Sequence, residues 1–170
     1  MRIEIVDWGA GNVASLRWAL KRLGIETTTE GGSSQGRILP GVGSFGAVVQ
    51  GIRTLRPDVP TLGICLGMQA FFVSSEESPG VSGLEWLKGK CEHAKTSIVP
   101  HKGWEEDGFW YDHSYVVVPE EPEIVFARFE HCGRSFPSII KSEHLWGCQF
   151  HPEKSGDNGL SFLERWVSSW

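Results

Sequence analysis

Apolar residues in the first half of the chain switch between short runs and helical spacing. Ile3 to Val6 is a short apolar run ending at Asp7 and predicts a strand. The loop that follows passes through Asn12, which is placed to cap a helix. The apolar positions of that helix, Leu16, Ala19, Leu20 and Leu23, recur at helical spacing, and Gly24 closes it. Ile25 to Thr29 is rich in β-branched residues and suits an edge strand, and 31–36 reads as a loop. Ile38-Leu39 leads into a glycine turn from Pro40 to Gly46, and a helix is predicted from Ala47 to Leu55. Thr61, Leu62 and Ile64 form a short buried strand, with a helix expected from Leu66 to Val73.

The second half is richer in strands: Ile98-Val99, Tyr115 to Val118, Ile124 to Ala127, Ser138 to Lys141 and Leu145 to Phe150. A last helix carries Leu160, Leu163, Trp166, Val167 and Trp170 at helical spacing. Repeated strand–helix units predict an α/β fold, a mostly parallel sheet flanked by helices, with extra antiparallel strands in the second half. No repeat, low-complexity tract or linker divides the chain, so residues 1–170 are read as one domain.

Composition adds exclusions more than detail. With 40% hydrophobic and 22% charged residues over 170 positions, the chain can build one ordinary core. A net charge of −5 and the lack of a basic run argue against nucleic acid as a main partner. No apolar stretch approaches membrane-spanning length, and Met1-Arg2-Ile3-Glu4 leads straight into a strand without a signal-peptide pattern, so a cytoplasmic location is expected. Cys65, Cys91, Cys132 and Cys148 are scattered without a disulfide framework. His131, Cys132, Cys148 and His151 could make a zinc set on paper but contain no Cys-x-x-Cys pair. No metal or cofactor is expected.

The candidate chemistry starts at Gly63-Ile64-Cys65-Leu66-Gly67, the frame of a nucleophile elbow. Glycines on both sides leave room for a sharp strand-to-helix turn that lifts Cys65 clear of the sheet. The plainer alternative is a buried structural cysteine. A thiol nucleophile needs a base, and the base an orienting group. His151 and Glu153 supply both types, two residues apart with Pro152 stiffening the pair, just past the predicted strand ending at Phe150.

Elbow cysteine and late His-Pro-Glu together resemble the class I (triad-type) glutamine amidotransferases. Within that class the chain is similar to the glutaminase subunits of imidazole glycerol phosphate synthases. The matching stretches are 7–12, Pro40 to Gly46, Leu62 to Gln69, Ser75 to Glu77, Pro100 to Trp104, His113 to Tyr115 and Gly147 to Ser155, in family order. The resemblance implies a flavodoxin-like fold and hydrolysis of L-glutamine to glutamate and ammonia by Cys65, His151 and Glu153. The oxyanion would be met by Leu66 N–H and by a donor at Val42 or Gly43, with rotation of the peptide around Val42 as the activity switch. Gln69, Glu77, His113, Ser114 and Tyr115 would line the glutamine pocket, although Ser74 to Ser78 also reads as a solvated helix end.

The family further implies a heterodimer with a (β/α)8 cyclase subunit, which receives the ammonia through its barrel in histidine biosynthesis. Asn12, Pro100, His101, Lys102, Gly103, Trp104 and Lys154 would face that partner. The chain is shorter than the family norm between Phe45 and the elbow and between Trp104 and His113. Lys102 stands where relatives carry an apolar residue, and Trp8 replaces a usual tyrosine. These departures leave two alternatives open: a related barrel synthase in surface-sugar amidination, or a stand-alone thiol hydrolase.

Overall fold

The computed structural model describes residues 1–9, 12–32 and 34–170. Ala10 and Gly11 of the 7–12 motif, and Ser33 of the 31–36 loop, lie outside the described residues. The strands in chain order begin with β1 (Arg2–Ile5), β2 (Glu26–Thr28), β3 (Gly36–Leu39) and β4 (Thr61–Ile64). They continue with β5 (Ser74–Ser75), β6 (Gly89–His93), β7 (His101–Trp104), β8 (Trp110–His113) and β9 (Tyr115–Pro119). The last three are β10 (Val125–His131), β11 (Arg134–Ser142) and β12 (Leu145–Cys148). The α-helices are α1 (Val13–Arg22), α2 (Phe45–Ile52), α3 (Leu66–Gln69) and α4 (Gly156–Val167).

Seven strands make the main sheet in the order β10-β11-β12-β4-β3-β1-β2. The strands from β12 to β2 are all parallel to their neighbours, while β11 and β10 extend the sheet antiparallel. The parallel part has the doubly wound order whose ligands sit beyond the carboxyl ends of the strands. Helices cover both faces, so the central strands are buried on both sides and read as unbroken apolar runs. One face packs Leu16, Leu20, Phe162 and Trp166 over Ile3, Ile5 and Leu62; the other packs Phe45, Val48, Val49 and Phe71 over Leu39 and Ile140. Each such side chain, fully buried, contributes about 1.5–3 kcal/mol. Among the described residues no helix is long and apolar enough to cross a membrane.

Several expectations are corrected. The elbow helix ends at Gln69 rather than Val73, because the carbonyls of Ala70 and Phe71 accept from Leu84 and Leu87, and Val73 N–H donates to Gly89. The second helix starts at Phe45, two residues early, where Ser44 caps it by accepting from Ala47 N–H. Asn12 starts α1 through its carbonyl, which accepts from Leu16, and its side chain makes no cap bond. Ile98-Val99 is not a strand, whereas His101–Trp104, given no element from the sequence, is strand β7. It pairs antiparallel with β8 in a separate hairpin. Tyr115–Pro119 joins β5 and β6 in a second sheet. Ile124 closes a 3-10 turn, and β10 runs on from Val125 to His131.

Candidate active site

Cys65 sits between β4 and α3 at the carboxyl edge of the main sheet, with φ 50° and ψ −107°. A side-chain-bearing residue in that conformation stores roughly 1–3 kcal/mol of strain, which the surrounding packing has to hold. The flanking glycines explain how it is held. A Cβ on Gly63 would fall 2.6 Å from the Met68 backbone, and one on Gly67 would fall 2.1 Å from Leu39 O. Only hydrogen at both positions lets α3 fold back against β4 and β3.

His151 follows β12, the parallel neighbour of β4, so register alone brings it to the elbow. Its Nδ1 lies 2.9 Å from Glu153 Oε1, and both side chains are only 3% exposed. The loop is fastened to β8 by His151 N–H to Trp110 O (2.8 Å) and by Ser155 Oγ. That hydroxyl donates to His151 O at 2.7 Å and accepts from Trp110 N–H at 2.9 Å. Burial acts to lower the His151 pKa, but hydrogen bonds and charge from Cys65 and Glu153 outweigh it and raise the imidazole to about 10. The imidazolium is therefore the favoured form beside the Cys65 sulfur. Cys148, also close by, is a different kind of thiol. Burial first, then the charges of Glu153 and Cys65, push its pKa well above the ordinary range, and its sulfur is turned toward Phe150 O at 3.4 Å.

Cys65 and His151 line a cavity of about 190 Å³ with Gly41, Val42, Gly43, Leu66, Gln69, Glu77, His113, Ser114 and Tyr115. That is below the roughly 300–1,000 Å³ of drug-sized pockets and suits a single amino acid. Every residue assigned from sequence to the nucleophile, oxyanion and glutamine sites is thus in one place, with Glu153 directly behind His151. Gly41 packs on the elbow so closely that a Cβ there would fall 2.0 Å from Ile64 O and 2.8 Å from Leu66 N. Glu77 Oε2 accepts from Phe45 N–H at 2.6 Å, tying the cavity wall to the start of α2. Gln69 Nε2 donates to Tyr115 O at 3.0 Å.

His113 is buried, and both ring nitrogens are taken: Nδ1 lies 3.0 Å from Tyr115 O and Nε2 3.1 Å from His101 Nδ1. Burial, with help from neighbouring His101, pushes its pKa down to about 3. It shapes the wall as a neutral ring and has no nitrogen left over for glutamine.

The residues assigned to a partner surface separate. Trp104 (58% exposed), Lys102 and Pro100 are exposed, and Gly103 and Asn12 are half-buried. His101 is the exception, since its side chain is buried beneath β7. Lys154 lines the cavity mouth, its Nζ 3.9 Å from Asp112 Oδ2, and Lys102 Nζ reaches the same oxygen at 3.5 Å. The unusual Lys102 therefore has a cross-strand partner in Asp112.

Two residues of the site were missed in the sequence. Asp112 lines the cavity, and its carbonyl lies 3.8 Å from Cys65 Sγ. Gln149 is fully buried and donates from Nε2 to Cys65 Sγ at 3.5 Å. The signal for Gln149 was its place in the Gly147 to Ser155 stretch, one residue from Phe150 and two from His151. The paper zinc set is not assembled, since Cys148 and His151 belong to the elbow.

Comparison with known proteins agrees with this geometry. The family model for glutamine amidotransferase class-I matches residues 4–169. The chain is 39% identical to the imidazole glycerol phosphate synthase subunit HisH of Pyrococcus furiosus, over 95% of this chain and 96% of that one. It is 40% identical to the subunit of the same name from Methanopyrus kandleri, over 96% of each. A crystal structure described as a glutamine amidotransferase superposes with a TM-score of 0.63 at 19% identity, covering 95% of both chains, which supports the fold. With the elbow, its histidine and the full-length match in agreement, the chain belongs to the class-I glutamine amidotransferases and, within them, to the HisH subunits of imidazole glycerol phosphate synthase.

Proposed function

We propose that Cys65, His151 and Glu153 hydrolyse the side-chain amide of L-glutamine, and that the ammonia passes to a (β/α)8 cyclase subunit bound as a heterodimer partner. The observation that carries this reading is the cavity that presents Cys65 and His151 alongside Gln69 and Glu77, with Glu153 fixing the imidazole. The Cys65 thiolate attacks the carboxamide carbon. The oxyanion is met by Leu66 N–H and by a second backbone donor at Val42 or Gly43. His151, protonated beside the thiolate, gives its proton to the leaving ammonia and leaves a γ-glutamyl thioester. It then takes a proton from the water that hydrolyses the thioester. Glu153 holds the ring tautomer and balances its charge. Glu77 is the partner for the substrate ammonium group, and backbone donors near Ser114 and Tyr115 for its carboxylate.

Docking is assigned to the exposed face of the β7–β8 hairpin around Pro100, Lys102, Gly103 and Trp104, with Lys154 beside it and Asn12 as a further contact. His101 supports this face from within. Bonds from β8 to the His151 loop give docking a direct route to the catalytic base. Rotation of the Gly41–Val42 peptide is the proposed switch. The test is glutaminase activity of the purified chain alone, then with a cognate cyclase barrel and its nucleotide ligand, against a Cys65→Ala control. Activity that needs the barrel and vanishes in the control supports the reading, and equal activity without the barrel refutes the gated subunit.

A further inference from the structure

Behind His113, away from the cavity, three groups able to donate electron pairs converge. His101 Nε2 lies 2.7 Å from Glu105 Oε1, His131 Nδ1 lies 2.9 Å from the same oxygen, and the three ligand atoms fall within 4.8 Å of one another. Their flanking bonds dictate where the ring protons are. Tyr115 O can only accept, so His113 carries its proton on Nδ1 and offers a bare Nε2. That Nε2 takes the Nδ1–H of His101, which leaves His101 Nε2 bare in the neutral ring. Ile98 O, 3.1 Å from His131 Nε2, fixes a proton there, so that His131 Nδ1 is bare in the neutral ring. Both lone pairs thus face one carboxylate.

One added proton, on His131, would satisfy Glu105 and Ile98 O together but leave the buried His101 Nε2 unpaired. A second would stack two imidazolium rings 3.9 Å apart, with side chains 4% and 10% exposed. Nor is the approach of His101 to Glu105 aligned as a hydrogen bond, since Nε2 is a buried ring nitrogen with no hydrogen-bond partner. One divalent cation satisfies all three donors at once. We propose that His101, Glu105 and His131 form a transition-metal site, best suited to Zn²⁺, with a fourth position open to water. The outer nitrogens are already engaged, by His113 and by Ile98 O, as ligating histidines require. The ion joins the end of β7 to the end of β10 and so pins the hairpin that carries Trp104. It departs from the sequence expectation of no metal. Of the paper zinc set, only His131 takes part.

The experiment uses the full chain in a Cys65→Ala background, stripped with chelator, so that the active-site thiol cannot compete. Zn²⁺ is titrated by calorimetry, and Co²⁺ is used as a spectroscopic stand-in. Expected are one equivalent of Zn²⁺ with Kd below about 10 μM, a Zn²⁺-dependent rise in Tm, and a Co²⁺ spectrum without a thiolate charge-transfer band. His131→Gln and Glu105→Gln should each weaken binding by about 100-fold or more, beyond what loss of an outer partner costs. Binding weaker than 10 μM, an affinity unchanged from the parent in either variant, or a thiolate band abolished by Cys132→Ser would each overturn the site. Because the Co²⁺ spectrum reads the unmutated ligands, the conclusion does not depend on the variants folding.

Discussion

Gln149 Nε2 donates to the Cys65 sulfur at 3.5 Å while its Oε1 accepts from Gln69 Nε2 at the same distance. The nucleophile is thus tied to the substrate wall by a buried amide relay. A hydrogen bond to a charged group is worth about 1.5–3 kcal/mol, or roughly 10–100-fold in rate if it is made to the thiolate. Gln149→Leu should lower kcat by that factor with little change in KM, and should slow alkylation of Cys65. Steady-state assays with the barrel partner read the first, and iodoacetamide labelling the second. An unchanged kcat would remove Gln149 from the site.

The raised pKa of His151 makes stability depend on alkaline pH. Its folded value, about 10, lies above the ordinary 6.5, so the folded state holds a proton that the unfolded state releases first. The contribution is complete below about pH 6.5 and is lost as pH rises toward 10. Because Cys65 supplies much of the upward shift, Cys65→Ala should flatten this dependence. Urea midpoints of both proteins between pH 6 and about 10 give the comparison, and parallel curves would count against a Cys65 contribution to the His151 shift.

Much of this architecture was legible because the central parallel strands are buried on both faces. Ile3, Ile5, Leu62 and Ile64 announce themselves as apolar runs, and the elbow does so by its glycines. The strands that escaped are poor in apolar residues. In β6 only Cys91 is a buried hydrophobe, and in β7 the inward residue is His101, whose burial depends on His113, Glu105 and His131. Polar residues buried on behalf of other polar residues leave no periodic trace. Gln149 and Asp112 were overlooked for the same reason. Their roles come from strands brought together by β4–β12 and β7–β8 pairing, not from their neighbours in sequence.

Gly41 should tolerate nothing larger than hydrogen. An added methyl would meet backbone atoms, Ile64 O at 2.0 Å and Leu66 N at 2.8 Å, and backbone cannot swing aside as a side chain can. Gly41→Ala should cost about 1–3 kcal/mol of stability. By displacing the donors around the oxyanion it should also cost about two to three orders of magnitude in kcat. Urea unfolding and steady-state kinetics on the same preparation test both parts, and loss of stability with full kcat would separate Gly41 from the oxyanion.

Glu77 has two tasks that a single substitution can divide. Its Oε2 accepts from Phe45 N–H, which a neutral amide oxygen can still do, while attraction for the substrate ammonium needs the charge. Glu77→Gln should therefore keep Tm within a few degrees and raise KM for glutamine about 10–100-fold, the worth of a charge-assisted hydrogen bond. An unchanged KM would confine Glu77 to fastening α2.

Docking and transmission should be separable on the β7–β8 hairpin. Trp104 is exposed and packs edge-on to Trp110 at 5.9 Å, the arrangement of an aromatic anchor awaiting a pocket. Trp104→Ala should weaken the complex by about 2 kcal/mol or more, roughly 30-fold in Kd, as anchor residues do. Ser155 is buried, so its own side chain is not offered to a partner. It joins Trp110 N–H to His151 O through one hydroxyl. Ser155→Ala leaves that amide unpaired at a cost of about 1–3 kcal/mol and loosens the base from the hairpin. It should leave the Kd of the complex near wild type while lowering partner-stimulated glutaminase activity. Calorimetric titration with the barrel, run beside the stimulated assay, distinguishes the two variants. If Ser155→Ala instead weakens binding and keeps full stimulation at saturation, the hairpin-to-histidine route is wrong.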